Sequence, residues 1–333
     1  MKINIRSRLM LTLGFVGAIF MTSLSQPMAS ESPRIWKSVE GRVIHTYRVP
    51  ISFNQPPTLA VVAEGLYFAI AGRESSTIFF IDRRGNMHAQ QVDVPSLGEA
   101  FSWNGRACFV RYYADFFVCL TKSSTIEKIY LRYSTKRSPP QITLAFSKGP
   151  ELYLVDFANH GVAHYAANDA RFFTANGEIM SIGIDRRLTV VASFGSPLVA
   201  IDGLVEKHIS IQSKRAVSVV FFQGRIVYAD FLRQGIWTIS HSGSQRSYQT
   251  QSLPSQLSVQ NDTRVWFTGA GGINLRLGYF DGRSIREFSL PASLDPTAKI
   301  AVEKDGTIWL SDFRTHSIVE LSLPHGKPPA PQP

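Results

Sequence analysis

Cysteine is nearly absent: the 333 residues hold only Cys108 and Cys119. That excludes a disulfide-dense mini-scaffold and any zinc site built from four thiolates. After the apolar run at Leu9–Phe20, no stretch is long and apolar enough for a transmembrane helix. Also missing are a phosphate-binding glycine loop, a nucleophile elbow, a Ser-His-Asp order and Cys–His metal spacing. No catalytic residue, metal ligand or cofactor is therefore assigned. Acidic residues are scarce, 25 against 35 Lys and Arg, which leaves a net charge of +10. The cations are scattered, and the densest cluster (Lys128, Arg132, Lys136, Arg137) is too short a run to suggest nucleic acid. It reads as a solvated basic face.

The first 30 residues have the layout of a secretory signal peptide: Lys2, Arg6 and Arg8, the apolar run, then small residues near Ser23-Leu24-Ser25 and Met28-Ala29. About a dozen apolar residues is short for an uncleaved anchor spanning roughly 30 Å of hydrocarbon. The mature protein is thus expected in a periplasm or outside the cell, as a monomer with no membrane span and a net charge of +7. Export suits a disulfide between Cys108 and Cys119, which flank CFVRYYADFFVC and would face each other across a hairpin; two buried thiols are the alternative. Residues 325–333, HGKPPAPQP, should be extended or disordered.

What the chain does have is a repeat. Its clearest copy, Glu287–Pro324, reads as a strand ending in Leu-Pro, a strand at Lys299–Glu303, an Asp305-Gly306 turn and strands at Ile308–Ser311 and Ile318–Leu323. An apolar–small–apolar triplet recurs, centred on Ala60, Ser102, Thr143, Gly183, Ser218, Ser258 and Ala301. Second strands begin at Leu66, Cys108, Leu152, Leu188, Ile226, Val265 and Ile308, 36 to 44 residues apart. A period near forty with several strands per unit indicates an all-β, seven-bladed β-propeller, placed here as one domain over residues 36–324. The small middle residue is expected to line a narrow axis. Residues 41–50 parallel Gly282–Pro291, the outer strand that finishes a unit, and no such strand follows the last unit. The N-terminal strand 43–49 should therefore close the ring against Ile318–Leu323, removing open sheet edges. Asp156-Phe157, Asp230-Phe231 and Asp312-Phe313 recur after the second strand, where Asp should cap its own turn.

The final unit, with F-x-L-P, P-x-x-x-I-A, D-G-x-I-W and S-I-V, resembles the repeat of streptogramin (virginiamycin B) lyases and NHL-type propellers, with gluconolactonase-type propellers more distant. The resemblance implies the fold. It would imply a divalent metal with His and carboxylate ligands only for an enzyme of the lyase or lactonase type. Here Ser311-Asp312 stands where Thr-Glu is common, and Thr315-His316-Ser317 replaces a Gly-Asn turn. No complete His and Glu set can be placed in adjacent units.

In such a ring the loops from second to third strand and from outer to next inner strand share one face. The first set carries Arg73, Glu74, Arg111, Tyr112, Asp156, His160, Arg233, Arg314 and His316; the second carries Glu99, Lys136, Arg137, Lys214, Arg215 and Lys299. Arg73, Arg111, Tyr112, His160, Arg233, Lys299, Arg314 and His316 are the candidate ligand-binding residues. Cations around a central depression would attract an anionic small molecule or an acidic patch of a partner protein. The expected function is an exported binding module using this face; the alternative is a metal-assisted lyase or lactonase.

Overall fold

The computed structural model describes residues 43–121, 125–131, 138–166, 169–175, 177–185, 188–202, 205–211, 215–290 and 294–322. The expected signal peptide, the Pro-rich tail and the loop cations Arg132, Lys136, Arg137 and Lys214 lie outside them.

Short alternating apolar runs separated by glycine turns give strands of three to eight residues, each too short to bury its apolar face alone. They pair into seven antiparallel sheets of four strands. Blades 1 to 6 occupy residues 60–92, 97–130, 142–174, 178–209, 216–249 and 253–289; blade 7 combines 299–322 with the strand Val43–Arg48. The first strand of each blade touches the first strand of the next, round the full circle from blade 7 back to blade 1. The architecture is a seven-bladed β-propeller, with no helix among the described residues.

There is no single central core. The buried side chains fall into seven clusters, one in each seam between neighbouring blades. In the seam of blades 5 and 6, for example, Val227 and Ile236 meet Val265, Phe267 and Phe280. Both faces of every sheet are thereby taken out of water. Within blade 2, Cys108 and Cys119 stand directly opposite on the second and third strands and form a buried disulfide, with Cα atoms 4.0 Å apart.

The ring closes as the repeat pattern requires. Val43–Arg48 runs antiparallel to Ser317–Ser322, with Tyr47 opposite Ile318 and His45 opposite Glu320. The Tyr47 hydroxyl donates to Glu320 at 2.7 Å, and the Tyr47 ring lies 5.9 Å from that of Trp309. On the same rim a clasp ties blade 7 to blade 1. Buried Glu303 accepts from Trp309 Nε1 at 2.7 Å and from Arg83, whose guanidinium also donates to the carbonyls of Val62 and Ala63.

The recurring Asp residues cap their turns. Asp156, Asp230 and Asp312 are fully buried. Asp156 Oδ1 accepts from the backbone of Gln141, Ala158 and Asn159; Asp230 Oδ1 accepts from Leu232 and Arg233; Asp312 accepts from Asp295 and Thr315. Four residues on, His160, Gln234 and His316 take positive φ angles of 52°, 47° and 49°. Their carbonyls accept from Ala175, Thr250 and Val49, tying each turn to the outer strand. The two histidines therefore serve as turn-closing residues of the repeat.

One expectation is corrected. The seven small residues do not share one structural position, because the first strand shifts register in five blades. Ala60, Gly183, Ser258 and Ala301 are equivalent, whereas Ser102, Thr143 and Ser218 are displaced by one to three residues. At the shared position blades 2 and 3 carry Phe101 and Phe146, whose rings turn into the seams with the following blades. A small side chain is not needed where the seam, rather than the axis, receives it.

Replacing Glu303 by Ala strands the Trp309 indole N–H and leaves Arg83 without its carboxylate. The expected loss is about 2–3 kcal/mol of unfolding free energy in urea denaturation. An unchanged midpoint would show that the clasp contributes nothing to closure.

Candidate functional site

The pairing registers also identify the true channel position. Thr58, Glu99, Leu144, Ser181, Ser218, Gln256 and Lys299 are equivalent, one per blade at the start of the inner strand. Where the side chain is a neutral acceptor it latches the next blade. Thr58 accepts from Ala100 N–H, Ser181 from Val219, Ser218 from Leu257 and Gln256 from Ile300. Glu99 and Lys299 break the neutral pattern, placing one carboxylate and one ammonium on either side of Thr58. The axis is thus not lined throughout by small uncharged groups, as the triplets suggested.

These two charges face a cavity of about 530 Å³ at the channel mouth. Its floor and walls come from Thr58, Ala69, Ile70, Leu97, Gly98, Glu99, Leu144 and Lys299, and the loop Ser52–Thr58 with Phe53 forms one side. The volume lies within the range that holds small molecules or a few side chains. Glu99 lines the cavity and is only partly exposed. Burial pushes its carboxyl up to about 7, and the opposing pull of Lys299 is the smaller effect. No direct ion pair joins the two among the described residues, so both charges are left to whatever enters. Tyr112 lies across Gly98, where an added Cβ would sit 2.0 Å from its ring, and a hydrogen bond from the Glu99 backbone holds the hydroxyl. Burial, reinforced by Glu99, raises the Tyr112 phenol well above its ordinary range.

No protein-family profile and no curated protein matches the sequence. Solved structures do match: a streptogramin B lyase at TM-score 0.68 and 14% identity, covering 86% of this chain and 99% of that one. Virginiamycin B lyase from Staphylococcus aureus matches at 0.65 and 14%, covering 85% and 99%. The chain has the streptogramin-lyase fold. YCF48 bound to a D1 peptide matches at 0.65 and 11%, covering 88% and 99%. At these identities the likeness is one of fold alone. No group of three or more His, Cys, Asp and Glu side chains is placed to hold a metal among the described residues.

Of the eight residues singled out from sequence, the cavity gathers Tyr112 and Lys299. His316 stands behind the wall: its Nδ1 accepts from Phe53 N–H at 3.4 Å and its ring meets Phe53 edge-on at 5.1 Å. Arg314 reaches Asp295 at 3.5 Å, steadying the loop that brings Thr297 to the cavity. Arg111 lies over the Phe116 ring and Arg233 over Trp237, at 5.4 and 5.9 Å. Arg73 and His160 are exposed on turns beyond the cavity rim. Phe53, Gly98 and Leu144 were not anticipated; only the strand register shows that Leu144 shares its position with Glu99.

The raised carboxyl of Glu99 carries a stability signature. Below about pH 4.5 it is protonated folded or unfolded; between 4.5 and 7 only the folded chain keeps the proton, so stability falls as pH rises through that window. The loss above pH 7 is about 2 kcal/mol, allowing for water reaching the cavity. Glu99→Gln should abolish this fall in denaturation curves taken from pH 4 to 8; an equal fall in the variant would place the titration elsewhere.

Proposed function

We propose that the chain is an exported binding module that holds an anionic small molecule, or an acidic segment of a partner protein, at the channel mouth. The observation that carries this reading is the cavity in which Lys299 and Glu99 face the same space unpaired, beside Tyr112 and Phe53. A ligand anion would supply the ammonium's missing partner, and protonated Glu99 would donate to the same group. The aromatic walls would supply apolar contact. Fold neighbours support a holding role in one respect: one of them was captured with a bound peptide. The lyase or lactonase reading has the shared fold as its support, whereas the binding reading has a cavity with its own chemistry. Export is supported by the N-terminal sequence and by the Cys108–Cys119 bridge, which an oxidising compartment favours.

Thermal-shift titration with small di- and tricarboxylates and phosphate esters, against their neutral amides and alcohols, tests the reading. The anions should raise Tm, and Lys299→Met should remove the effect. Binding should weaken by up to about tenfold from pH 6 to pH 8 as Glu99 ionises and repels the anion, with Glu99→Gln flattening the dependence. Neutral compounds binding as well as the anions, or anion binding unchanged in Lys299→Met, would overturn it.

A further inference from the structure

We propose that blades 2 and 3 carry a docking track for an extended acidic polypeptide segment, running outward from the cavity along a ladder of aromatic rings. The inference rests on the cavity being the binding centre, and it gives the partner a chemical class and a path. Tyr112, in the cavity wall, has its ring 6.4 Å from that of Tyr113. Tyr113 is 6.2 Å from Phe157 of blade 3, and Phe157 is 6.4 Å from His160. Tyr113 and Phe157 are each 48% exposed. Adjoining exposed aromatic rings beside a cavity are the surface type that becomes a contact centre when a partner covers them.

The backbone supports the same reading. In blades 3, 5 and 7 the turn is capped by a buried Asp and the positive φ falls four residues later. Blades 1, 4 and 6 carry Ile70, Ser193 and Gly269 at the Asp position, and blade 2 carries Arg111; there Tyr113, two residues on, has a φ of 59°. A bulky residue in the left-handed region is conformationally costly. Tyr113 N–H donates to the Ile142 carbonyl and Tyr112 N–H to that of Ser96, so the strained turn is held from both neighbouring loops. Tyr113 is 48% exposed and belongs to neither seam cluster of blade 2, so core packing does not explain why an aromatic stands there.

Charge and angle select the occupant. Arg111 and Lys128 both lie over the Phe116 ring, at 5.4 and 5.6 Å, while neighbouring Glu127 is already paired with Arg106. Arg111 stands where blades 3, 5 and 7 carry aspartate, directly before Tyr112 in the chain, and a cation there attracts carboxylates. Successive rings are inclined at 47°, 83° and 52°, a corrugated surface rather than the row of parallel faces that sugar rings or bases would stack upon. Side chains of an extended peptide fit such corrugation. The path is at most about 19 Å, the length of about six extended residues.

The test is fluorescence anisotropy with a labelled random copolymer of glutamate and tyrosine, against polyglutamate, polylysine and a β-1,4-linked glucose oligosaccharide. The copolymer should bind best and polylysine not at all. Tyr113→Gly and Phe157→Ser should each weaken copolymer binding about tenfold or more. Tyr113→Gly should also leave Tm unchanged or raise it, because glycine tolerates that φ, whereas a merely structural Tyr113 would lower Tm on removal. Copolymer binding untouched by both ladder variants, or preference for the oligosaccharide, overturns the track. If small anions still depend on Lys299 in that case, the cavity reading stands without it; if neither variant set matters, both fall.

Discussion

The molecule depends on one pairing: the strand Val43–Arg48 must find Ser317–Ser322 across the whole length of the sequence. A propeller's stability resides in its seams, and each blade contributes half of two of them. With one end left open, both terminal blades would present an apolar sheet face and an unpaired edge to water. The Tyr47–Glu320 bond and the Arg83–Glu303–Trp309 clasp, side by side on one rim, fasten that join. The loops of the cavity side, including Ser52–Thr58, hang from the closing strand, so closure and the candidate site are built by the same step.

Function is most legible where the repeat breaks its own rules. Four of seven channel positions latch the neighbouring blade through a neutral side-chain acceptor. Glu99 and Lys299 give up that latch and set two charges into the cavity instead. Arg111 gives up the buried carboxylate cap, and Tyr113 accepts a strained backbone. Glu99 and Lys299, in blades 2 and 7 on either side of blade 1, set their charges into one cavity, and Arg111 and Tyr113 stand in the turn beside it. That clustering is the pattern expected of residues retained for contact with something outside the chain.

The fold was open to reading because strand alternation, Gly turns and the period near forty are local properties. The closing strand was readable too, since residues 41–50 copy Gly282–Pro291. Arg73, Arg233 and His160 were drawn toward the site on loop membership alone, and they do not line the cavity. Leu144 and Gly98 were invisible because a bulge or register shift precedes the channel residue in five blades, so residue counting drifts by one to three places. A one-residue slip in a strand exchanges its two faces.

The amino-acid sequence by itself determined the number of blades, their antiparallel order, the strand that closes the ring and the cysteines that could meet across blade 2. Those follow from period-two patterning and short-range turn chemistry, which act between residues close in the chain. Only the tertiary structure decided which side chains reach the axis, that Glu99 and Lys299 share one cavity, and that Tyr112 opens onto a ladder crossing into blade 3. Those depend on bulges and on the packing of sheets made from residues far apart in sequence, where a displacement of one residue turns a lining group into a seam group.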